Sequence, residues 1–395
     1  MLTGKFLEAL PLLETLTAAG FEAYFVGGSV RDFLLNREIA DVDIATSAFP
    51  DEVKQLFKHT IDTGIQHGTV TVMLAKEGYE ITTFRTESTY QDFRRPDEVT
   101  FVRSLVEDLK RRDFTMNAIA MDQFGVMHDP YHGQAAIKAG HIEAVGIADE
   151  RFSEDALRMM RALRFVSQLG FTLDEATKAA ITANKALLSH IAVERCYIEM
   201  TKLLTGADVI KGLALIKETG LFTYLPGMTS SAATLAQLLN CSWSEQRTPL
   251  EAWTLLCAVV CPTEAKPFLK QWKASNETMT TVAKALRYYE EISSWSDLTL
   301  YDAGEATIKL VEHLKAAQQI ATDTAAVFAQ YEALPMHSRA ELKVSGHDLM
   351  AWLDKKPGAW LANALRQIEE AVVQGELSND TAAIKGWVLD ENRYS

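Results

Sequence analysis

FEAYFVGGSVRDFLLNREIADVDIAT, Phe21 to Thr46, decides how the chain is read. FEAYFVGG predicts a strand, SVRDFLLN a short helix and DVDIA a second strand. The first strand ends in Gly27 and Gly28 and the helix begins at once, so free backbone N–H groups face any anion placed there. Arg31 in that first turn adds a donor suited to phosphate. In a strand, residues two apart project to one face, which sets Asp41 beside Asp43 while Val42 points away. Two carboxylates so placed repel unless a cation lies between them, and hard divalent ions take carboxylate oxygens with phosphate completing the shell. Alone, the glycines also read as a tight turn and D-x-D as a solvated one. Together they read as a phosphate holder next to a metal holder.

Outward from this stretch, FPDEVKQLF predicts a helix with Asp51 near its start. TVTVMLA and YEITTFR alternate at period two across KEG, the pattern of a hairpin. Glu80 opens the second of these strands and completes a carboxylate cluster if that strand lies beside DVDIA. From about Arg151 apolar residues recur at three and four spacing nearly to the end, which predicts an all-helical remainder, with weak breaks near Gly206, near Pro226 and around residues 293 to 303.

ERFSEDALRMMRALRFVSQLGF, from Glu150, predicts one helix with a core face of Ala156, Met159, Met160 and Leu163 and an opposite, working face of Glu154, Arg158 and Arg161, which taken alone also reads as a solvated, salt-bridged one. Glu154 stands four before Arg158, the favourable order for an ion pair. Asp155 and Arg158, three apart, can reach one ligand together. Their acceptor and donor match the amino group and ring nitrogen of cytosine or adenine, whereas uracil and guanine present a ring N–H where the arginine needs an acceptor. In LKRRDFTMNAIAMD, residues 109 to 122, Arg111 and Arg112 offer phosphate contacts, and Asp113 and Asn117 offer groups within reach of ribose hydroxyls. His128 and His132 in HDPYHG are four apart, but Pro130 and Gly133 oppose the helix that would align them on a metal.

A chain of 395 residues exceeds one ordinary core. Its 48% hydrophobic and 23% charged content is that of a globular protein, and no apolar run reaches the roughly 18 residues of a membrane span. MLTGKFLEALPLLETLTAAG carries acids among its leucines and reads as an amphipathic helix instead of a signal peptide, which places the protein in the cytoplasm. Cys196, Cys241, Cys257 and Cys261 form no C-x-x-C pair and read as buried, reduced thiols. A net charge of −14 argues only weakly against nucleic acid, because phosphates respond to local arginine clusters.

GGSVRD, DVDIA, RRDFTMNAIA, DPYHG and EDALRMMRALRF, in this order and spacing, resemble the bacterial class II tRNA nucleotidyltransferases, the CCA-adding enzymes, whose superfamily also includes bacterial poly(A) polymerases. The resemblance covers roughly residues 20 to 200 and continues more faintly through VSGHDLMAWLDKKPGAWLANALRQIEEAVVQGELSND. It implies an α+β fold: an N-terminal nucleotidyltransferase head of polymerase-beta-like mixed sheet with helices (1–147), then an all-helical neck with the nucleobase-reading helix (148–207), body (208–297) and tRNA-binding tail (298–395). It further implies that Asp41 and Asp43 bind Mg2+, that Gly28 and Arg31, with Gly27 beside them, hold the triphosphate, and that Arg112 contacts the nucleotide. Asp155 and Arg158 would read the base, with Arg161 and Arg164 supporting. The implied activity is template-independent addition of the 3′-terminal CCA to tRNA from CTP and ATP with release of pyrophosphate; no membrane or protein partner is implied. ERCYIEMTKLL, Glu194 to Leu204, is less basic than its counterpart in the family. RTESTYQDFRRPDEVTF, residues 85 to 101, suits the mobile loop associated in the family with the switch from C to A. The rival readings are an A-adding enzyme or poly(A) polymerase, whose basic C-terminal extension has no counterpart in AAIKGWVLDENRYS, and a non-catalytic RNA-binding protein with a decayed head.

Overall fold

The computed structural model describes residues 2–87, 99–228, 232–243 and 247–389. The chain forms two compact units, one from the residues up to Leu239, the other mainly from residues 250–270 and those from Ala274 onward. Among the described residues no helix is long and apolar enough to cross a membrane.

The first unit opens with α1 (Lys5–Ala18), the amphipathic helix expected there, with Phe6, Ala9, Leu12, Leu13 and Leu16 buried. There follow β1 (Ala23–Val26), α2 (Gly28–Leu34), β2 (Asp43–Thr46), α3 (Pro50–Leu56), β3 (Thr60–Gly64), β4 (Thr69–Leu74) and β5 (Glu77–Thr83). Then come β6 (Arg85–Glu87), β7 (Val99–Phe101), α4 (Leu105–Lys110), β8 (Ala120–Met121), β9 (Met127–His128) and α5 (Gly133–Ala139). Seven strands form one mixed sheet in the order β3-β4-β5-β2-β1-β8-β9, in which β2 and β5 pair in parallel and the other neighbours are antiparallel. The strands β6 and β7 make a separate ribbon. The rest of this unit is helical, including α6 (Ala148–Glu154), α7 (Leu157–Leu169), α8 (Glu175–Asn184) and α9 (Val193–Leu204); a two-residue parallel pairing of His141–Ile142 with Thr172–Leu173 interrupts the run. No strand lies beyond Leu173 among the described residues, and the second unit packs helices around Leu300, Ile308, Val311, Met336, Ile368 and Val372.

Two local expectations are corrected. The strand expected at DVDIA begins only at Asp43, because its partner β1 ends at Val26, opposite Asp43, where the chain turns away at Gly27 with φ 74°. The alternation nonetheless continues upstream, with Val42 buried while Asp41 and Asp43 are exposed. The hairpin does not turn across KEG. Ala75 and Lys76 both take positive φ, a two-residue turn whose twist matches its strands, so β5 starts at Glu77 and Glu80 lies within it.

The DPYHG motif buttresses the head. Asp129 accepts hydrogen bonds from the backbone N–H groups of Gly133 (2.7 Å) and Gln134 (2.9 Å), capping α5. Gly133 then lies so close to the short helical turn Thr115–Asn117 that a Cβ there would stand 2.1 Å from the Thr115 carbonyl oxygen. His132 immediately precedes α5, and His128 pairs with Asp122 at 3.3 Å. All four cysteines are free thiols. Gly133→Ala is expected to lower the unfolding free energy in urea by about 1–3 kcal/mol, the usual cost of forcing an extra carbon into a packed contact.

Candidate active site

A cavity of about 510 Å3 opens in the first unit. Gly27, Gly28 and Arg31 come to it from the β1–α2 junction, Asp43 from β2, Arg111, Arg112, Asp113 and Asn117 from the segment after α4. Asp155 enters between α6 and α7, while Arg158, Arg161, Arg164 and Phe165 come from α7 and Arg195 from α9. Of the site residues expected from the sequence, only Asp41 and Glu80 do not line this cavity, and both act on Asp43 through their charge.

The glycine turn meets a carboxylate and a guanidinium. A Cβ on Gly27 would stand 3.1 Å from Arg112 Nη1 and 3.6 Å from Asp43 Oδ2, so the bare backbone is what lets guanidinium and carboxylate close on the turn. The parallel register that pairs Ile44 with Ile81 sets Asp43 level with Glu80, so the strand carrying Glu80 does lie beside β2. Crowding by the surrounding protein, then the charges of Glu80 and Asp41, raise the Asp43 carboxyl above its ordinary range, with Arg112 opposing them. These hard oxygen donors fit a divalent cation, which their mutual repulsion would favour. Among the described residues no three side chains are gathered as a complete set of metal ligands.

The arginines that line the cavity are held by buried acids. Arg31 donates to Asn117 Oδ1 (2.9 Å), Asn117 donates to Asp113 Oδ1 (3.0 Å), and Arg161 Nε donates to Asp113 Oδ2 (2.8 Å). Burial by itself would raise the Asp113 carboxyl, but the Arg161 charge and the bonds from Asn117 and Arg161 hold it far below the usual carboxylate range. Asp113 and Asn117, expected near ribose hydroxyls, thus spend these bonds on arginines and on each other. Asp108 is 1% exposed and ties Arg111 (2.8 Å) and Arg112 (3.3 Å). Glu199 pairs with Arg164 at 3.0 Å; burial pushes that guanidinium down to about 10, so it stays charged at neutral pH.

The single helix expected from Glu150 is broken. Its first part ends at Glu154, Asp155 takes extended angles (φ −137°, ψ 102°), and α7 starts at Leu157. The break persists because Asp155 caps the new helix, accepting from Leu157 N–H at 3.0 Å, and because Arg195 grips both its oxygens at 2.7 and 3.3 Å. The Glu154–Arg158 pair forms at 2.5 Å, but the face that carries it is not solvated. Arg158 is buried and also donates to the carbonyls of Arg151 (3.1 Å) and Arg111 (2.8 Å); on α7 only Arg161, Gln168 and Leu169 escape burial. The segment expected to form a mobile loop, 85 to 101, has its ends in β6 and β7, and its residues 88–98 lie outside the described residues.

Sequence reasoning missed Arg195, Asp108, Glu199 and Phe165. Asp108 was findable, since it stands three and four before Arg111 and Arg112, the spacing of helical ion pairs. The partner of Arg195 lies at the break between α6 and α7 and those of Glu199 on α7, so neither left a local signal.

A cavity of this size, lined by seven arginines together with Asp43 and Asp155, suits a nucleoside triphosphate, and on this mixed sheet it defines a nucleotidyltransferase. A family model described as poly A polymerase head domain matches residues 23–143, one described as probable RNA- and SrmB-binding site of polymerase A matches 170–231, and one described as putative tRNA nucleotidyltransferase domain 2 matches 245–388. The CCA-adding enzyme of Listeria monocytogenes serotype 4b (strain CLIP80459) is 49% identical over 97% of this chain and 98% of its own; that of Enterococcus faecalis is 49% identical over 95% and 93%. The crystal structure of the Bacillus stearothermophilus CCA-adding enzyme in complex with CTP matches 99% of this chain and 98% of its own with a TM-score of 0.90 at 42% identity. The chain belongs to the CCA-adding enzymes.

Because the Asp43 carboxyl is raised in the folded state, the fold gains from its protonated form, and that gain is lost as pH rises through its folded pKa. Without divalent cation, Asp43→Asn is therefore expected to unfold at higher urea than the parent at pH 7. The gap should narrow as pH falls toward about 4, where an unfolded Asp titrates.

Proposed function

We propose that this protein adds the 3′-terminal CCA to tRNA without a nucleic-acid template, using CTP and ATP and releasing pyrophosphate. The observation that carries the reading is that Gly27, Arg31, Asp43, Asp155 and Arg158 line a single cavity, in a chain 49% identical over nearly its whole length to enzymes named for this reaction. The glycine turn with Arg31, Arg112, Arg161 and Arg164 receives the triphosphate. Asp155, oriented by Arg195, accepts from the amino group of cytosine or adenine, and Arg158 donates to the adjacent ring nitrogen. Asp41 and Asp43, with Glu80 beside them, would hold Mg2+, which supplies activation of the tRNA 3′ hydroxyl and charge stabilisation at the pyrophosphate. The hydroxyl displaces pyrophosphate from the α-phosphate, forming the new phosphodiester and passing its proton to solvent. Head (1–147), neck (148–207), body (208–297) and tail (298–395) divide the work, the tail carrying the rest of the tRNA. These substrates place the reaction in the cytoplasm.

Purified protein with Mg2+ is expected to extend a tRNA ending at its discriminator base by C, C and A when CTP and ATP are supplied together, and by C alone when only CTP is present. A product of A alone would favour the A-adding reading, long A tracts the polymerase reading, and binding without extension a decayed head. Asp43→Asn is expected to cut incorporation by several kcal/mol of transition-state stabilisation, on the order of a thousandfold, while nucleotide still binds. In competition assays Asp155→Ala should lose discrimination against UTP and GTP by about 10- to 100-fold, the cost of an unpaired buried polar group; unchanged fidelity would show that the base is read elsewhere.

A further inference from the structure

Three guanidinium groups converge on one ring. Arg31, Arg161 and Arg164 lie over Phe165 with centroid distances of 5.0, 5.5 and 3.9 Å. Arg31 comes from α2 in the head, whereas the other two stand four and one residues before Phe165 on α7. Phe165 lines the cavity at 4% exposure and has no hydrogen-bonding group, so the steps described above leave it without a task.

Like charges gathered here repel more strongly than in open water. Asp113 and Glu199 answer Arg161 and Arg164, while Arg31 is met by Asp32 and Asn117. What the three share is the ring, whose face attracts cations through its quadrupole. Phe114, fully buried, meets Phe165 in a T-shaped contact at 5.8 Å and 85° and fixes its tilt. A leucine would fill much of the same space and offer no such face.

We propose that Phe165 is a positioning residue: its ring gathers Arg31, Arg161 and Arg164 so that their remaining donors converge on the phosphate chain, setting triphosphate affinity and leaving base choice untouched. The inference rests on the reading of this cavity as a nucleoside triphosphate site.

Titration calorimetry of the full chain with CTP, CDP, CMP and UTP tests it, comparing the parent with Phe165→Leu and Phe165→Tyr. Phe165→Leu is expected to raise the Kd for CTP about tenfold and that for CMP by less than about twofold, with the CTP-to-UTP preference unchanged and Phe165→Tyr within about twofold of the parent. If melting shows that Phe165→Leu does not fold, Phe165→Met, of similar volume and without a ring, takes its place. Equal losses for CTP and CMP would mean that the ring serves the nucleoside. A tyrosine no better than leucine would reduce Phe165 to a space filler, and an unchanged Kd for CTP would remove it from the site. Each of these overturns the inference alone, whereas a parent that does not bind CTP overturns the site assignment with it.

Discussion

Concentrating positive charge is the constraint on which this site depends. Arg31, Arg111, Arg112, Arg158, Arg161, Arg164 and Arg195 all face one cavity in a chain whose net charge is −14. Left to themselves these groups would spread into solvent. Asp108, Asp113 and Glu199 prevent this from behind: each is buried, and each holds one or more guanidinium groups with geometry fixed before any substrate arrives. The acidic total and the cationic cavity are therefore compatible, because the binding surface is made locally.

The sheet and the helices divide the labour. Strand ends and a glycine turn give the carboxylates and the close backbone approach, which demand a precise register. The helix α7 gives arginines at three-residue spacing, and its interruption at Asp155 frees a carboxylate that an unbroken helix would have carried around to another side. Arg195 then holds that carboxylate from α9. Thus the wall of the cavity is shared between strands, a loop and two helices, with buried ion pairs as the joints.

Much of this was legible in the sequence. The glycine pair, the spaced aspartates and the arginine series each carry their chemistry at short range, so Gly27, Arg31, Asp43, Asp155 and Arg158 could be named before any fold was known. Local pattern failed where a distant partner decides the outcome. Asp43 opens its strand because β1 stops, a fact about Val26 and Gly27, and the helix breaks at Asp155 because Arg195, forty residues on, grips its side chain. The same limit hid Phe165, which reads as one more core aromatic on a helical face until Arg31 is brought over it from α2.

The pairing of β2 with β5 is the one parallel pairing among the described strands of its sheet, and Ile44 meets Ile81 only after the chain has passed through α3 and the β4–β5 hairpin. Asp43 and Glu80 become neighbours through that closure alone. A nascent or misassembled head can therefore possess every functional side chain and still lack its acidic corner, and a slip of a single residue would turn one carboxylate to the opposite side. The acidic corner of this molecule is therefore a product of one non-local seam of the sheet and of no segment taken alone.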